Sequence, residues 1–130
     1  YHIYQGATFI GTNPDITFPV EWGEAPGNGA ILHALEVSTK VEPIVTGKPE
    51  PQMYEEALRR MDATPETTAM IGDRIETDIV GAAGVGLTTV LTLSGISTTD
   101  DVSRSATKPD LVCDDIVDLV SLWRRALAQE

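Results

Sequence analysis

Cysteine is almost absent from this 130-residue sequence, with Cys113 the single example. An internal disulfide is therefore excluded, which fits a reducing compartment and an expected cytoplasmic location. Cys113 follows the apolar pair Leu111–Val112, the setting of a small buried hydrophobe. Positive charge is also scarce. Nine Lys and Arg stand against 20 Asp and Glu, giving a formal net charge of −11 and a pI near 4.4. No basic patch offsets that excess, so neither nucleic acid nor an anionic membrane surface is an expected partner. No apolar run approaches the ~20 residues of a membrane span, and no stretch reads as a secretory signal. Histidine occurs only as His2 and His33, each without a second His or Cys nearby, which argues against a histidine metal site. Trp22 and Trp123 are assigned to packing rather than to stacking platforms.

What is present suffices for one ordinary domain, since hydrophobic residues make up 42 % of the chain. Short strand-like runs alternate with helix-like ones. Ala7–Ile10 is a strand candidate, followed by a loop-like Asn13–Pro19 with a proline on each side of its acid. The break PGNG precedes a helix with Ile31, Leu32 and Leu35 on one face. Pro43–Thr46 is the next strand, and a helix opening near Pro51 carries Met53, Tyr54, Ala57, Leu58 and Met61 as its stripe. Strands are then expected at Thr68–Ile71, Thr88–Leu93 and Asp110–Cys113, with a helix over Ile75–Ala83. Asp100–Asp101 reads as a solvated turn. Asp114 and Asp115 suit the start of a last helix, whose stripe is expected at Val117, Val120 and Trp123–Leu127. From Pro43 onward this order predicts a parallel sheet covered by helices, a partial Rossmann-like α/β fold.

Ligands of such sheets bind at the carboxyl ends of the strands. Three features fall there: Lys48 in GKPEP, Asp73 and Asp78 in GDRIETD, and Ser94–Gly95 in SGIS. Carboxylates favour Mg²⁺, a hard ion that takes oxygen ligands, and an ammonium holds a phosphate as a point charge. Each piece also has a plain structural reading: Gly-Lys-Pro is an ordinary turn before a proline-started helix, and Asp73 an ordinary helix cap. The glycines of GAAGVG follow a helix and precede a strand, the reverse of the dinucleotide fingerprint, so Gly84 and Gly86 are read as a helix end and a turn.

The combination TGKPEPQMYEEAL, MIGDRIETDIVGAAGVGLTTVLTLSGIS and FIGTNPDITFP resembles the haloacid dehalogenase (HAD) superfamily of hydrolases, within it the NagD-like 4-nitrophenylphosphatase group. The resemblance covers nearly the whole chain. It implies that residues 1–42 are the end of a cap domain and 43–130 the C-terminal half of the HAD core. It also implies a Mg²⁺-dependent phosphatase of small phosphomonoesters working through an aspartyl-phosphate. Lys48 would neutralise the phosphoryl oxygens and the nucleophile. Asp73 would bind Mg²⁺ directly or through water, with Asp78 the second acid of that metal motif, orienting water or a neighbouring backbone group. Asn13 and Asp15 match the group's pattern where the cap approaches the substrate, and Phe18 stands where specificity is expected to be read.

One departure is large. The family's nucleophile lies in an Asp-x-Asp motif, and this sequence contains none. Together with an opening at Tyr1, this makes a C-terminal portion of such a phosphatase the expected reading, inactive without its nucleophile. An incomplete parallel sheet would also leave an open edge suited to self-association. A non-catalytic α/β interaction module and a generic phosphate- or nucleotide-binding domain stay open as alternatives.

Overall fold

The computed structural model describes residues 1–128, and the chain divides into two compact units, Tyr1–Met53 and Tyr54–Glu130. In the first unit, β1 (Ile10–Gly11) is followed by β2 (Thr17–Val20), β3 (Gly23–Pro26), α1 (Asn28–Thr39) and β4 (Ile44–Val45). The second unit holds most of α2 (Gln52–Met61), then β5 (Ala69–Gly72), a π-helical turn (Ile75–Ile79), α3 (Val80–Gly84) and β6 (Thr88–Thr92). It ends with α4 (Thr99–Arg104), β7 (Leu111–Cys113) and α5 (Ile116–Leu127).

The first unit contains a parallel pair. β1 lies beside β4 with Ile10 opposite Ile44 and Gly11 opposite Val45. The strand at Pro43–Thr46 was expected in the sheet of the later strands, and its partner is β1 instead. Leu32 of α1 is buried against Gly11, where any side chain would collide with it. The other two residues of the expected α1 stripe, Ile31 and Leu35, are exposed. The segment expected as a loop over Asn13–Pro19 is one through Ile16 and then enters a hairpin, β2 pairing antiparallel with β3 from Thr17–Pro26 to Val20–Gly23. Both of its strands are largely exposed, so no inside–outside alternation marks them. Trp22, expected to pack, is 86 % exposed at the hairpin's tip.

The second unit is a three-stranded parallel sheet in the order β5–β6–β7. Central strand β6 has both faces covered, as a parallel strand requires. Leu91 is wholly buried among Ile75 and Ile79, with Val102 of α4 packed alongside. On the opposite face Val90 meets Cys113 and Leu119 of α5. A third cluster joins Tyr54 and Leu58 of α2 to Ala82 and Leu87. The helix expected over Ile75–Ala83 is present, and its first turn is the π-helical one. Helix α5 starts where its acids suggest: Asp115 Oδ1 accepts the Val117 and Asp118 N–H groups at 2.8 and 2.9 Å. Its buried face runs through Leu119 and Leu122, however, leaving Val117, Trp123 and Leu127 exposed.

Asp100–Asp101 is the first turn of α4 rather than a solvated turn. Thr98 caps that helix, and Asp101 Oδ2 accepts both the Thr98 hydroxyl and its N–H, at 2.7 and 2.8 Å. Arg104 donates to the other oxygen at 2.8 Å. The Thr98 hydroxyl leads these donors in holding the Asp101 carboxyl down at about 2, against 3.8 ordinarily. A depressed carboxyl stabilises the fold above its unfolded value and loses that contribution as pH falls through the folded one. Asp101→Asn is therefore expected to lower thermal stability at pH 7. The gap to wild type should close between about pH 4 and pH 2, as followed by circular dichroism melts across that range.

Candidate active site

Strand β5 ends at Gly72, and the chain turns sharply into the loop Asp73–Arg74. The π-helical turn that follows brings Asp78 back over that loop. Asp78 is only 3 % exposed, and its Oδ2 accepts the Asp73 and Arg74 N–H groups at 3.2 and 3.1 Å. Burying a carboxylate is costly unless hydrogen bonds replace its water, and N–H groups aimed at an ionised oxygen are among the stronger protein hydrogen bonds. Gly72 makes the return possible, because a Cβ there would land on the Asp78 side chain. π-Turns of this kind concentrate at functional sites. The helix's N-cap is Arg74, with no side-chain cap. The plain reading of Asp73 as a helix cap is thus set aside, and the capping acid is Asp78 acting from inside the helix.

Asp73 is half-buried and held from the next strand end. The loop after β6, residues 94–97, donates the Ile96 N–H to Asp73 Oδ2 at 3.0 Å. It also donates the Ser97 N–H to the Asp73 carbonyl at 2.9 Å. The Ser97 hydroxyl accepts the Ile75 N–H at 3.0 Å. Gly95 lies against the Asp73 side chain, with no room for a Cβ. Tyr54 braces the same turn from α2, its hydroxyl donating to the Thr77 carbonyl at 2.8 Å. Burial first, and then the Asp78 charge, push the Tyr54 phenol up from its ordinary value, so it stays a neutral donor. The motif GDRIETD pointed to the two acids. Tyr54, Ile96 and Ser97 were missed, although SGIS at the end of β6 marked the segment that supplies two of them.

Asn13, Asp15 and Lys48 belong to the first unit, beyond the carboxyl ends of β1 and β4. Asn13 Oδ1 accepts the Asp15 N–H at 3.1 Å and its carbonyl accepts the Asn28 side-chain amide at 2.8 Å. These bonds fix a tight turn in the NPD segment. Gly47 passes directly under the Thr12 carbonyl, a closeness no side chain permits. The turn holding Asn13 and Asp15 thus lies beside the loop that carries Lys48. The Lys48–Pro49 peptide is cis.

The donors fit Mg²⁺ in kind, as hard carboxylate oxygens on a fixed loop. In number they are a partial set, since no cluster of three or more His, Cys, Asp or Glu side chains suited to a metal occurs among the described residues. Fold and site together define an α/β protein whose parallel sheet presents a rigid carboxylate loop at its carboxyl edge.

Known proteins share the fold. The sequence profile described as HAD-hydrolase-like matches residues 45–119, and the chain belongs to that family. It is 41 % identical over 121 residues to the dihydroxyacetone phosphatase of Corynebacterium glutamicum (strain R), covering 93 % of this chain and 44 % of that protein. The p-nitrophenyl phosphatase from Archaeoglobus fulgidus has the same fold at a TM-score of 0.83 and 36 % identity, over 92 % of this chain and 48 % of that one. The glycerol phosphate phosphatase from Mycobacterium tuberculosis, solved in complex with magnesium, superposes at a TM-score of 0.79 and 35 % identity, over 90 % of this chain and 36 % of that one. The chain therefore spans a little under half the length of the curated relative above, 44 % of it. Its structural relatives are NagD and 4-nitrophenylphosphatase proteins, as the GKP and GDRIETD motifs implied.

Replacing Asp78 by Ala removes the acceptor of two part-buried backbone N–H groups, those of Asp73 and Arg74. A loss of about 2–6 kcal/mol in urea unfolding is expected, from roughly 1–3 kcal/mol for each of the two donors left without its charged partner. Asp78→Asn keeps one acceptor oxygen and should lose less. Amide exchange at Asp73 and Arg74 should quicken in both variants, and unchanged exchange would remove Asp78 from this role.

Proposed function

We propose that this chain is the C-terminal portion of a Mg²⁺-dependent phosphatase that hydrolyses small phosphomonoesters. One observation carries the reading: the buried Asp78 carboxylate fixes a loop that presents Asp73 at the carboxyl end of β5, in a chain of the HAD-hydrolase-like family. On this reading residues 1–42 close a cap domain and residues 43–130 form the second half of the catalytic core.

Asp73 would hold the metal, directly or through water, with the remaining oxygens coming from water and from the nucleophile motif. When bound, Mg²⁺ supplies Lewis-acid neutralisation of the phosphoryl oxygens. Lys48 adds a point charge that offsets the same oxygens as the ester bond breaks. Asp78 acts through the backbone, keeping Asp73 in place. Asn13 and Asp15 form the substrate-side turn, with the exposed Phe18 on the neighbouring hairpin. The substrate class is supported by the names of the similar proteins, which act on dihydroxyacetone phosphate, p-nitrophenyl phosphate and glycerol phosphate.

Phosphoryl transfer to an aspartate needs that aspartate, and no Asp-x-Asp pair occurs in this sequence. The chain alone is therefore expected to give no turnover of 4-nitrophenyl phosphate with Mg²⁺, measured as nitrophenolate release. Activity above background in preparations free of other phosphatases would overturn this. Within the full-length protein, Asp73→Asn and Lys48→Ala are each expected to lower kcat by about 10²–10³. Near wild-type kcat in either variant would remove the role given to that residue.

The partners follow from the same reading. Among the described residues β5 pairs only with β6, so its far edge carries open backbone groups beside the exposed Ile71. Such edges pair with other chains. The isolated chain is expected to self-associate through β5, whereas a well-folded 14.0 kDa monomer in sedimentation at micromolar concentration would refute it. Among the described residues no helix is long and apolar enough to cross a membrane, and the single free cysteine suits a cytoplasmic location.

A further inference from the structure

The loop after β6 surrounds Asp73 more completely than a passing connection requires. Ile96 N–H holds its Oδ2, Ser97 N–H holds its carbonyl, and Gly95 packs flat against its side chain. Ser97 then reaches one residue past the Asp73–Arg74 loop, its hydroxyl accepting the Ile75 N–H at 3.0 Å. Ser97 is only 4 % exposed. Both of its backbone-directed bonds therefore sit where water cannot substitute.

The loop's own ends are fixed. Upstream, β6 is the central strand of the sheet. Downstream, the Thr98–Asp101 capping box starts α4 directly after Ser97. A segment stapled at both ends can set the direction of a carboxylate that it touches. From these contacts we infer that Ser97 is a positioning residue for Asp73, clamping the β5 loop so that its carboxylate meets the metal in one fixed orientation.

The division of labour with Asp78 is visible in the bonds. Asp78 holds the loop's N–H groups from the π-turn side. Ser97 and Ile96 hold its carbonyl and its carboxylate from the β6 side. The Ser97 side chain adds the hold on the Ile75 N–H. Removing that hydroxyl leaves the backbone bonds and Asp78 in place, so the loop stays folded while the carboxylate gains freedom. Loss of a group that orients a metal ligand typically weakens metal binding about 10- to 100-fold.

The inference rests on the proposed metal role of Asp73, and its test separates the two. In the full-length protein containing this chain, Mg²⁺ binding is measured by calorimetry without substrate. Ser97→Ala should weaken it about 10- to 100-fold, while KM for 4-nitrophenyl phosphate at saturating Mg²⁺ stays within about twofold. Ser97→Thr keeps the hydroxyl and should restore Mg²⁺ affinity, which a purely packing role would not predict. If Ser97→Ala fails to fold, Ser97→Cys decides, because a thiol fills the same space but accepts the Ile75 N–H poorly and should give the same weakening. Unchanged Mg²⁺ affinity in the folded variant, with Asp73→Asn abolishing binding, overturns the positioning role and leaves Asp73 as a ligand. Unchanged affinity in Asp73→Asn overturns the metal reading and this inference with it.

Discussion

A carboxylate taken out of water and handed to two backbone N–H groups organises the second unit. Asp78 can be buried only because Asp73 and Arg74 supply donors and Gly72 supplies space. Each condition constrains a different part of the chain. The donors require the loop after β5 to turn tightly, the space requires a glycine as the strand's last residue, and the return of Asp78 requires the extra residue of a π-turn. Asp73 ends up at the sheet's carboxyl edge as a consequence of those three demands. A neutral residue at position 78 would demand none of them.

Much of this was readable from residue order. Alternation of short apolar runs with helices located β5, β6 and β7, and the strand-end rule singled out Asp73 and Asp78. Asp115 announced α5, because a side-chain acceptor at a helix start has few other uses. The π-turn was not readable. Its apolar residues Ile75 and Ile79 sit four apart, a spacing that an α-helix produces equally well. Ser97 was not readable either, since a serine in a loop carries no mark of what it will accept from. The α5 stripe shows a different failure. Val117, Trp123 and Leu127 are as apolar as Leu119 and Leu122, and only the docking of the helix beside β7 decides which set is buried.

The hairpin β2–β3 hid for a third reason. Sequence patterns report strands through the contrast between a wet face and a dry one, and this hairpin has little contrast to report. Pro19 within β2 deepened the disguise, although a two-stranded hairpin is all edge and tolerates a proline there. The same reasoning explains β4. Two residues pairing with β1 give no periodicity of their own, so the apolar run Pro43–Thr46 was naturally grouped with the sheet that follows it.

The bonds around Asp73 bear on how such a site would work. They are made among β5, the π-turn and the loop after β6, all within one unit. The carboxylate is thus oriented by hydrogen bonds that belong to the fold itself. A ligand group fixed beforehand loses little freedom when it captures an ion, and preorganised charge of this kind is where enzymes gain most of their electrostatic advantage. On the proposed function this fixed acid would be the group offered to the metal, and positioning with charge neutralisation is most of what phosphoryl transfer asks of a protein.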